Sequence, residues 1–228
     1  MKESIKILAF FFMLAFLSGC MKKDVVLITN QNKLQVLTEY GKQNPEKKVM
    51  IETGFGNITI RLYDETPLHR ANFVKLIKDG YYDDNAEFYR VVENFVVQGG
   101  VPQKKLDYTI PAEFNPAYFH KKGALAMARL DENNPGKESS STEFYFVHGS
   151  KYADWEFADE EKELGLHLPP NQKQIYTTLG GEMSLDGKYT VFGEIVEGLD
   201  VIDKIATVRV YVEKPYKKVP FKIRVENN

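Results

Sequence analysis

The sequence predicts a mainly β protein in which antiparallel strands form a closed or nearly closed barrel. Short runs of alternating apolar and polar residues recur from residue 49 to the end of the chain. Turn residues separate these runs, and well-supported helix signals appear at two places within the domain. At 228 residues, with 43% hydrophobic and 27% charged residues, the chain is long enough for one substantial domain with additional segments.

The first strand patterns form a hairpin that is followed by a helix. Residues 49–63 alternate on both sides of a glycine-rich turn at residues 54–57. Thr66 and Pro67 then have the residue types of a helix N-cap and a first helical position. We therefore expect a helix that begins here and ends near Gly80.

The remaining elements follow in order along the chain. Strands are expected at residues 88–92, 95–98, 124–128, 144–147, 190–196, 208–212 and 221–225, and a second helix is expected at residues 199–206. An acidic segment at residues 151–182 interrupts this succession of strand patterns. We interpret it as an insertion with a helix around residues 159–166, which shields the functional surface, contacts another protein or simply decorates the barrel.

The first 20 residues are predicted to be a lipoprotein signal peptide. Lys2 and Lys6 give a positively charged start, and an apolar run over residues 7–17 is followed by small residues before Cys20. The run is too short for a typical membrane-spanning helix. The ending resembles a bacterial lipobox, in which Cys20 receives lipid. The alternative is a signal peptide or anchor that contains a cysteine by chance.

Lipid on Cys20 would hold the protein on a bilayer. The next residue is Met21, which, by resemblance to the usual sorting pattern, favours the outer membrane. We therefore expect a lipid-anchored protein of the bacterial cell envelope, on either face of that membrane.

Residues 21–47 are interpreted as a tether that joins the anchor to a domain spanning residues 48–228. The tether is polar and slightly basic, and residues 32–40 are compatible with one short helix that has two leucines on one side. Pro45 then breaks any helix. This composition is typical of a spacer that separates a domain from the membrane.

Composition argues against several classes of function. The formal net charge is −2, so no basic bias marks a nucleic-acid-binding protein. The four histidines are widely spaced and match no metal-ligand motif, and the single cysteine forms no internal disulfide. We therefore expect no metal, no cofactor and no nucleic-acid partner, and we expect a monomer.

The segment 88–100 is the most informative for function. In a regular strand, Arg90 lies on the same face as Phe88, next to a strand that carries Phe95 and Gln98. A guanidinium beside aromatic rings is costly unless hydrogen-bond partners satisfy it. This segment alone leaves two interpretations open. In one, the Arg90 guanidinium presents hydrogen-bond donors over an apolar surface that binds a ligand. In the other, Arg90 is a solvent-exposed residue on an edge strand.

The same segment resembles the central motif of the cyclophilins. That motif is Phe-His-Arg-Val, a short turn, Phe, two variable residues and Gln-Gly-Gly, and the chain has it from Phe88 to Gly100 with Tyr89 in the histidine position. Similar blocks surround the motif at residues 57–63, 65–67, 72–73, 80–82, 123–128, 142–146 and 185–193. The resemblance extends from about Val49 to Val225 and is interrupted by the insertion.

The resemblance implies a fold, an activity and a set of site residues. The fold is a closed eight-stranded antiparallel barrel capped by two helices. The activity is peptidyl-prolyl cis-trans isomerisation of proline-containing polypeptides, which needs no cofactor. The implied catalytic residues are Arg90, Phe95 and Gln98, and the implied substrate-binding residues are Val96, Ala128, Glu143, Tyr145, Leu185 and Tyr189.

These residue types suit the chemistry of an X-Pro bond. Resonance gives the C–N bond partial double-bond character, with a rotation barrier of about 18–20 kcal/mol. A donor aimed at the proline nitrogen stabilises the twisted bond more than either planar state. Arg90 suits this role because its guanidinium stays charged at every working pH. The apolar members of the implied set would hold the proline ring.

Several positions depart from the cyclophilin pattern, and three of them change a polar or charged side chain at the expected groove. Glu143 replaces a glutamine, and three effects are open. An ion pair with Arg90 would make its guanidinium less available to a substrate, or it would fix the orientation of the guanidinium. Alternatively, Glu143 would select basic peptides. Arg129 replaces an asparagine, which puts one contact with the substrate backbone in doubt. Tyr89 replaces the histidine, and strand alternation is expected to point it away from Arg90.

Three functional hypotheses follow. The leading one is an isomerase that assists the folding of exported or envelope proteins. The alternative, which Glu143 and Val96 favour, is a non-catalytic module that binds proline-containing peptides or acts as a chaperone on the membrane surface. The third is a hydrolase that uses the serines at residues 139–141 with His148, but no nucleophile-elbow motif surrounds them.

Overall fold

The computed structural model describes residues 27–226, so the predicted signal peptide and Cys20 lie outside the described residues. Its elements are α1 (Lys33–Gln43), β1 (Lys48–Thr53), β2 (Gly56–Leu62), α2 (Pro67–Lys78), β3 (Glu87–Val92), β4 (Val96–Gly100), β5 (Thr109–Ile110), β6 (Ala124–Met127), β7 (Ser139–Ser140), β8 (Phe144–Val147), α3 (Phe157–Leu164), α4 (Pro170–Thr178), β9 (Val191–Glu197), α5 (Leu199–Ala206), β10 (Val210–Tyr211), β11 (Lys214–Pro215) and β12 (Phe221–Glu226). A 3-10 turn at Met183–Leu185 precedes β9. Between residues 27 and 226, no helix is both long enough and apolar enough to cross a membrane.

Eight strands form one antiparallel sheet in the order β12-β1-β2-β9-β6-β8-β4-β3. The sheet is a half-barrel that stays open between its edge strands β12 and β3. The prediction of a mainly β fold with eight antiparallel strands is confirmed. The prediction of a closed barrel is wrong, because the barrel is open. The described residues contain five α-helices, of which α2 and α5 are the two predicted domain helices.

The barrel stays open because another part of the chain occupies the outer edge of β3. The amide of Val91 donates to the carbonyl of Glu213 at 2.7 Å, and the amide of Phe88 donates to the carbonyl of Val219 at 2.9 Å. Both acceptors belong to the segment that leads into β12. Pro220 forms an isolated bridge with Glu87, and the Phe221 amide donates to the Ala86 carbonyl at 3.1 Å, so the two edge strands meet only where each begins.

The central strands β4, β6 and β8 are buried on both faces, and alternate residues belong to two separate apolar clusters. Phe144 and Phe146 of β8 point into the main core, whereas Tyr145 and Val147 point to the opposite face. We call the second group the outer cluster, and its buried members are Val96, Ala124, Ala126, Ala128, Tyr145, Val147, Leu185 and Val191.

Helix α2 begins at Pro67, as predicted, but a remote carboxylate caps it. The side chain of Thr66 makes no capping hydrogen bond. The Glu113 carboxylate instead accepts from the backbone amides of Leu68 at 3.0 Å and His69 at 2.9 Å. A negative charge is favourable at this end of a helix. Thr66 is therefore the N-cap residue, as predicted, but Glu113 supplies the capping hydrogen bonds in place of its side chain.

Helix α1 lies within the segment interpreted as a tether, yet it packs on the domain. Leu37 is fully buried against α2, and a Cβ atom added to Gly41 would lie 3.2 Å from that of Ala71. The buried Lys33 ammonium donates to Glu138 at 2.5 Å, just before β7. This helix is therefore part of the folded domain, because it has an apolar face to bury, and it is not a free spacer.

The insertion contains two helices, α3 and α4. The sequence predicted the first of them. The second begins at Pro170, because proline is well suited to the first position of a helix. Phe157, Leu168, Tyr176 and Met183 form a small apolar cluster at the centre of the insertion.

Leu37→Ala is expected to lower the free energy of unfolding by about 2–4 kcal/mol, because it leaves a cavity between α1 and α2. Chemical denaturation of the purified protein measures this change. Leu34→Ala on the same helix is the control: Leu34 is 54% exposed, and the expected change is below about 0.5 kcal/mol. Equal effects of the two substitutions would contradict the packing of α1.

Candidate active site

A β-bulge in β3 places Tyr89 and Arg90 side by side. Phe88 pairs with Gly99 and Arg90 pairs with Gln98, so Tyr89 is the extra residue of the bulge. Phe88 is buried in the main core, whereas Tyr89 and Arg90 are half-buried. The prediction that Tyr89 points away from Arg90 is therefore wrong, because the bulge interrupts the alternation of the strand.

The Arg90 guanidinium is held by two side chains and lies near an aromatic ring. Its Nε donates to Glu213 Oε2 at 2.6 Å, and its Nη1 donates to Gln98 Oε1 at 3.3 Å. The guanidinium carbon lies 5.7 Å from the centre of the Phe95 ring, within the range of a cation–π contact. With 31% of its side chain exposed, Arg90 is accessible to a ligand and partly desolvated.

Gln98 connects Arg90 to Tyr89 and so to Glu143. The Gln98 amide donates to the Tyr89 hydroxyl at 2.7 Å. Burial and the nearby charge of Glu143 raise the pKa of that hydroxyl far above its ordinary value of 10.0, so Tyr89 stays protonated. Glu143 thus acts on Tyr89, and the ion pair that the structure gives Arg90 is with Glu213.

The other predicted substrate-binding residues form an apolar floor beside Arg90. Four buried members of the outer cluster form the floor, namely Val96, Ala128, Tyr145 and Leu185. The rings of Phe95 and Tyr189 pack at the edge of this floor. The Tyr145 and Tyr189 rings meet edge to face with centroids 6.1 Å apart. We call this floor, together with Arg90 and Gln98, the groove.

A buried chain of hydrogen bonds fixes the Tyr145 ring. The Tyr145 hydroxyl lies 3.0 Å from His120 Nε2, and His120 Nδ1 lies 2.9 Å from Asp186 Oδ1. The Tyr176 hydroxyl donates to Asp186 Oδ2 at 2.5 Å. All four residues are buried, and Tyr176 belongs to α4. The insertion is therefore attached directly to the groove floor.

Arg129 presents a buried donor above Tyr189. Its guanidinium carbon lies 4.3 Å from the centre of the Tyr189 ring, and its Nε donates to Asp131 at 2.6 Å. The Arg129 side chain is 9% exposed, and its Nη1 has no hydrogen-bond partner among the described residues. Such donors are uncommon in folded proteins, and the contact with the Tyr189 ring compensates for part of the missing hydrogen bond.

The serines at residues 139–141 do not form a hydrolase site with His148. Ser139 Oγ lies 2.9 Å from His69 Nε2, and His69 Nδ1 lies 2.6 Å from Glu113 Oε2. His148 instead accepts from a backbone amide in the β3–β4 turn. Ser139 and His69 are almost completely buried, so a substrate carbonyl cannot reach them. This group holds the Glu113 cap of α2 in place.

Comparison with known proteins agrees with this geometry. A family model described as cyclophilin type peptidyl-prolyl cis-trans isomerase/CLD matches residues 48–225. This chain belongs to the cyclophilin-type peptidyl-prolyl cis-trans isomerases. A Staphylococcus epidermidis protein that carries the name of such an isomerase is 32% identical over 176 residues, which cover 74% of this cyclophilin and 85% of that protein. The predicted family and class of enzyme are confirmed.

Two further relatives extend the comparison. A Streptococcus pyogenes protein, named as a bifunctional phosphatase and peptidyl-prolyl cis-trans isomerase, is 34% identical over 171 residues; the match covers 71% of this cyclophilin and 34% of that longer protein. The crystal structure of a Cryptosporidium parvum cyclophilin-type isomerase superposes with a TM-score of 0.58 at 19% identity, over 80% of this cyclophilin and 99% of that chain. A second structure of it, in the presence of the dipeptide Ala-Pro, gives a TM-score of 0.57. These two structures show the shared fold.

Several residues at the groove of this cyclophilin escaped the sequence analysis. Glu213 is 123 residues from Arg90 along the chain. It directly follows the strand predicted at residues 208–212, but no sequence pattern indicates that it contacts Arg90. His120 lies outside the blocks that resemble the cyclophilins, and Asp186 lies in the block at residues 185–193 without a predicted role. Their importance follows from burial, which the sequence does not display.

Tyr145→Phe is expected to lower the free energy of unfolding by about 1–3 kcal/mol, because it leaves the buried His120 Nε2 without its partner. Thermal or chemical denaturation measures the change. Tyr211→Phe is the control, since Tyr211 is 69% exposed and no measurable change is expected. A Tyr145→Phe protein as stable as the wild type would show that this hydroxyl does not fix the floor.

Proposed function

We propose that Arg90 catalyses the rotation of X-Pro bonds by donating to the twisted proline nitrogen. The observation that carries this proposal is the position of the Arg90 guanidinium at the rim of the apolar groove, 5.7 Å from the Phe95 ring. Glu213 and Gln98 orient its Nε and Nη1. A guanidinium has five N–H donors, so these two contacts leave donors for a substrate.

The groove supplies what the rotation requires. A proline ring would pack against the rings of Phe95 and Tyr145 and the side chain of Leu185, which excludes water from the rotating bond. As the bond twists, the nitrogen loses conjugation and becomes an acceptor for Arg90. The twisted state therefore gains a charge-assisted hydrogen bond that the planar states lack, and this difference lowers the barrier.

Arg90→Ala is expected to lower kcat/KM for a proline peptide by about 100- to 1,000-fold, as when one donor is removed from a site that stabilises a transition state. A protease-coupled or NMR exchange assay measures the rate. Arg224→Ala is the matched control, because the Arg224 side chain is 53% exposed on β12. Equal rates for Arg90→Ala and the wild type would contradict a catalytic role for Arg90. They would favour the alternative hypothesis, in which the protein binds proline peptides without turnover.

Glu213→Gln is expected to lower kcat by about three- to tenfold with KM nearly unchanged, because the Arg90 Nε loses a charge-assisted hydrogen bond that orients the guanidinium. Glu52→Gln is the control, since Glu52 pairs with Arg224 away from the groove. A rate increase in Glu213→Gln would show that Glu213 instead restrains Arg90.

The proposal extends to the location of the enzyme and the source of its substrates. A positively charged start, an apolar run over residues 7–17 and the single cysteine at position 20 support a lipid-anchored form. Such an enzyme would isomerise proline-containing segments of exported or envelope proteins at the membrane surface. Met21 favours the outer membrane.

Cys20→Ser in the full chain, expressed in a bacterium, is expected to move the protein from the membrane fraction to the soluble fraction, because the lipid attachment point is lost. Cell fractionation and the mass of the N-terminal peptide measure the change. Arg90→Ala serves as the control and should remain with the membranes. A wild-type N-terminal peptide whose mass includes no lipid would contradict lipid anchoring, whichever fraction contains Cys20→Ser.

A further inference from the structure

The insertion forms one wall of a cavity of about 580 Å³ at the end of the groove. Residues 114–119 form the opposite wall, and Tyr189 lies at the border. Phe114 is 39% exposed and Leu166 of the insertion is half-buried, so both present apolar surface to the cavity. A cavity with apolar walls and this volume is suited to an apolar or aromatic side chain.

Both walls are fixed to each other and to the groove. The buried Gln172 side chain of α4 donates to the carbonyl of Pro116 at 2.8 Å, which joins the insertion to the opposite wall. The hydrogen bond from Tyr176 to Asp186 joins the same helix to the buried chain beneath Tyr145. The cavity therefore has a defined shape and a fixed position relative to the groove.

The cavity and the groove are continuous through Tyr189. Its ring packs at the edge of the outer cluster and also lines the cavity. The Tyr189 ring centroid lies 6.1 Å from that of Tyr145 on the groove floor. Because an extended polypeptide advances about 3.3 Å per residue, a side chain two or three positions from the proline reaches past Tyr189.

From this continuity we infer that the insertion adds a subsite for an apolar or aromatic side chain two or three residues from the substrate proline. The inference rests on the proposed function, because it gives the same bound polypeptide a second contact. The occupant is the flanking part of that polypeptide, since the cavity opens where the groove ends. The insertion thereby selects among proline-containing segments by their neighbouring residues.

Dye-labelled peptides test the subsite with the full-length protein. One series places Phe two or three residues before the proline, another places it two or three residues after, and matched peptides carry Ser at the same positions. Asn171→Trp is the test variant, because Asn171 is exposed and lines the cavity, which a tryptophan would fill. Glu163→Trp is the control on α3, exposed and outside the cavity lining.

The wild type and Glu163→Trp are expected to bind one series of Phe peptides about tenfold more tightly than its Ser counterparts, as burial of an aromatic side chain predicts. Asn171→Trp is expected to reduce this preference to less than about twofold, and Phe114→Ala, which removes an exposed wall residue, should also weaken it. For a short peptide that ends one residue from the proline on each side, kcat/KM should be the same in all four proteins.

A wild type without a preference for Phe peptides in either series overturns the subsite, as does a preference that both Asn171→Trp and Phe114→Ala retain. Anisotropy measures binding separately from turnover. A protein that shows the preference but does not isomerise the peptides therefore overturns the catalytic proposal and supports the subsite. A protein that isomerises the short peptide but shows no preference for Phe peptides overturns the subsite and leaves the catalytic proposal supported.

Discussion

Strands β4, β6 and β8 bury both of their faces, and the rest of the molecule depends on this constraint. The strict alternation of a strand sends Phe144 and Phe146 into the main core and Tyr145 to the outer cluster. A buried aromatic ring removes roughly 150–250 Å² from water, at about 25 cal/mol per Å². Within the described part of the chain, the main core has 28 buried members and the outer cluster has eight, so the inner face contributes most of the stability and the outer face is available for binding a polypeptide.

Asp186 connects the insertion, the loop before β6 and the floor of the groove. Its carboxylate accepts from the His120 backbone amide at 2.7 Å, contacts the His120 ring and accepts from Tyr176. A buried carboxylate is tolerated when several donors satisfy it, and here those donors come from the loop before β6 and from the insertion. The position of the insertion and the position of the Tyr145 ring are therefore coupled through one side chain.

Local periodicity explains which elements the sequence could predict. The strand at 144–147 and the helix at 199–206 have the predicted bounds, because their apolar residues follow periods of two and 3.6. Barrel closure was predicted wrongly, because it depends on long-range pairing, and β12 and β3 are joined only by an isolated bridge between Pro220 and Glu87. Tyr89 was placed on the wrong side, because a bulge is not visible in an alternating pattern. Helix α4 was missed, because Pro170 resembles a break although it begins a helix.

In the groove, too, the sequence predicts contacts between residues close along the chain but not contacts between distant ones. Arg90, Phe95 and Gln98 fall within one short motif that covers two adjacent strands and the turn between them, so the sequence alone places them near one another. Glu213 reaches Arg90 from the other end of the domain, and only the folded chain reveals that contact. The unpaired Nη1 of Arg129 likewise depends on burial, which comes from residues distant in sequence.

The contacts among Ser139, His69 and Glu113 have a consequence for how enzymes are recognised. Their hydrogen bonds follow the nucleophile–base–acid order of serine hydrolases, with separations of 2.9 and 2.6 Å. Yet His69 has no exposed surface, and its ring stabilises the start of a helix. A template search that compares interatomic distances alone would assign an acyl-transfer chemistry to this protein. Solvent access distinguishes the structural use of such a constellation from the reactive one.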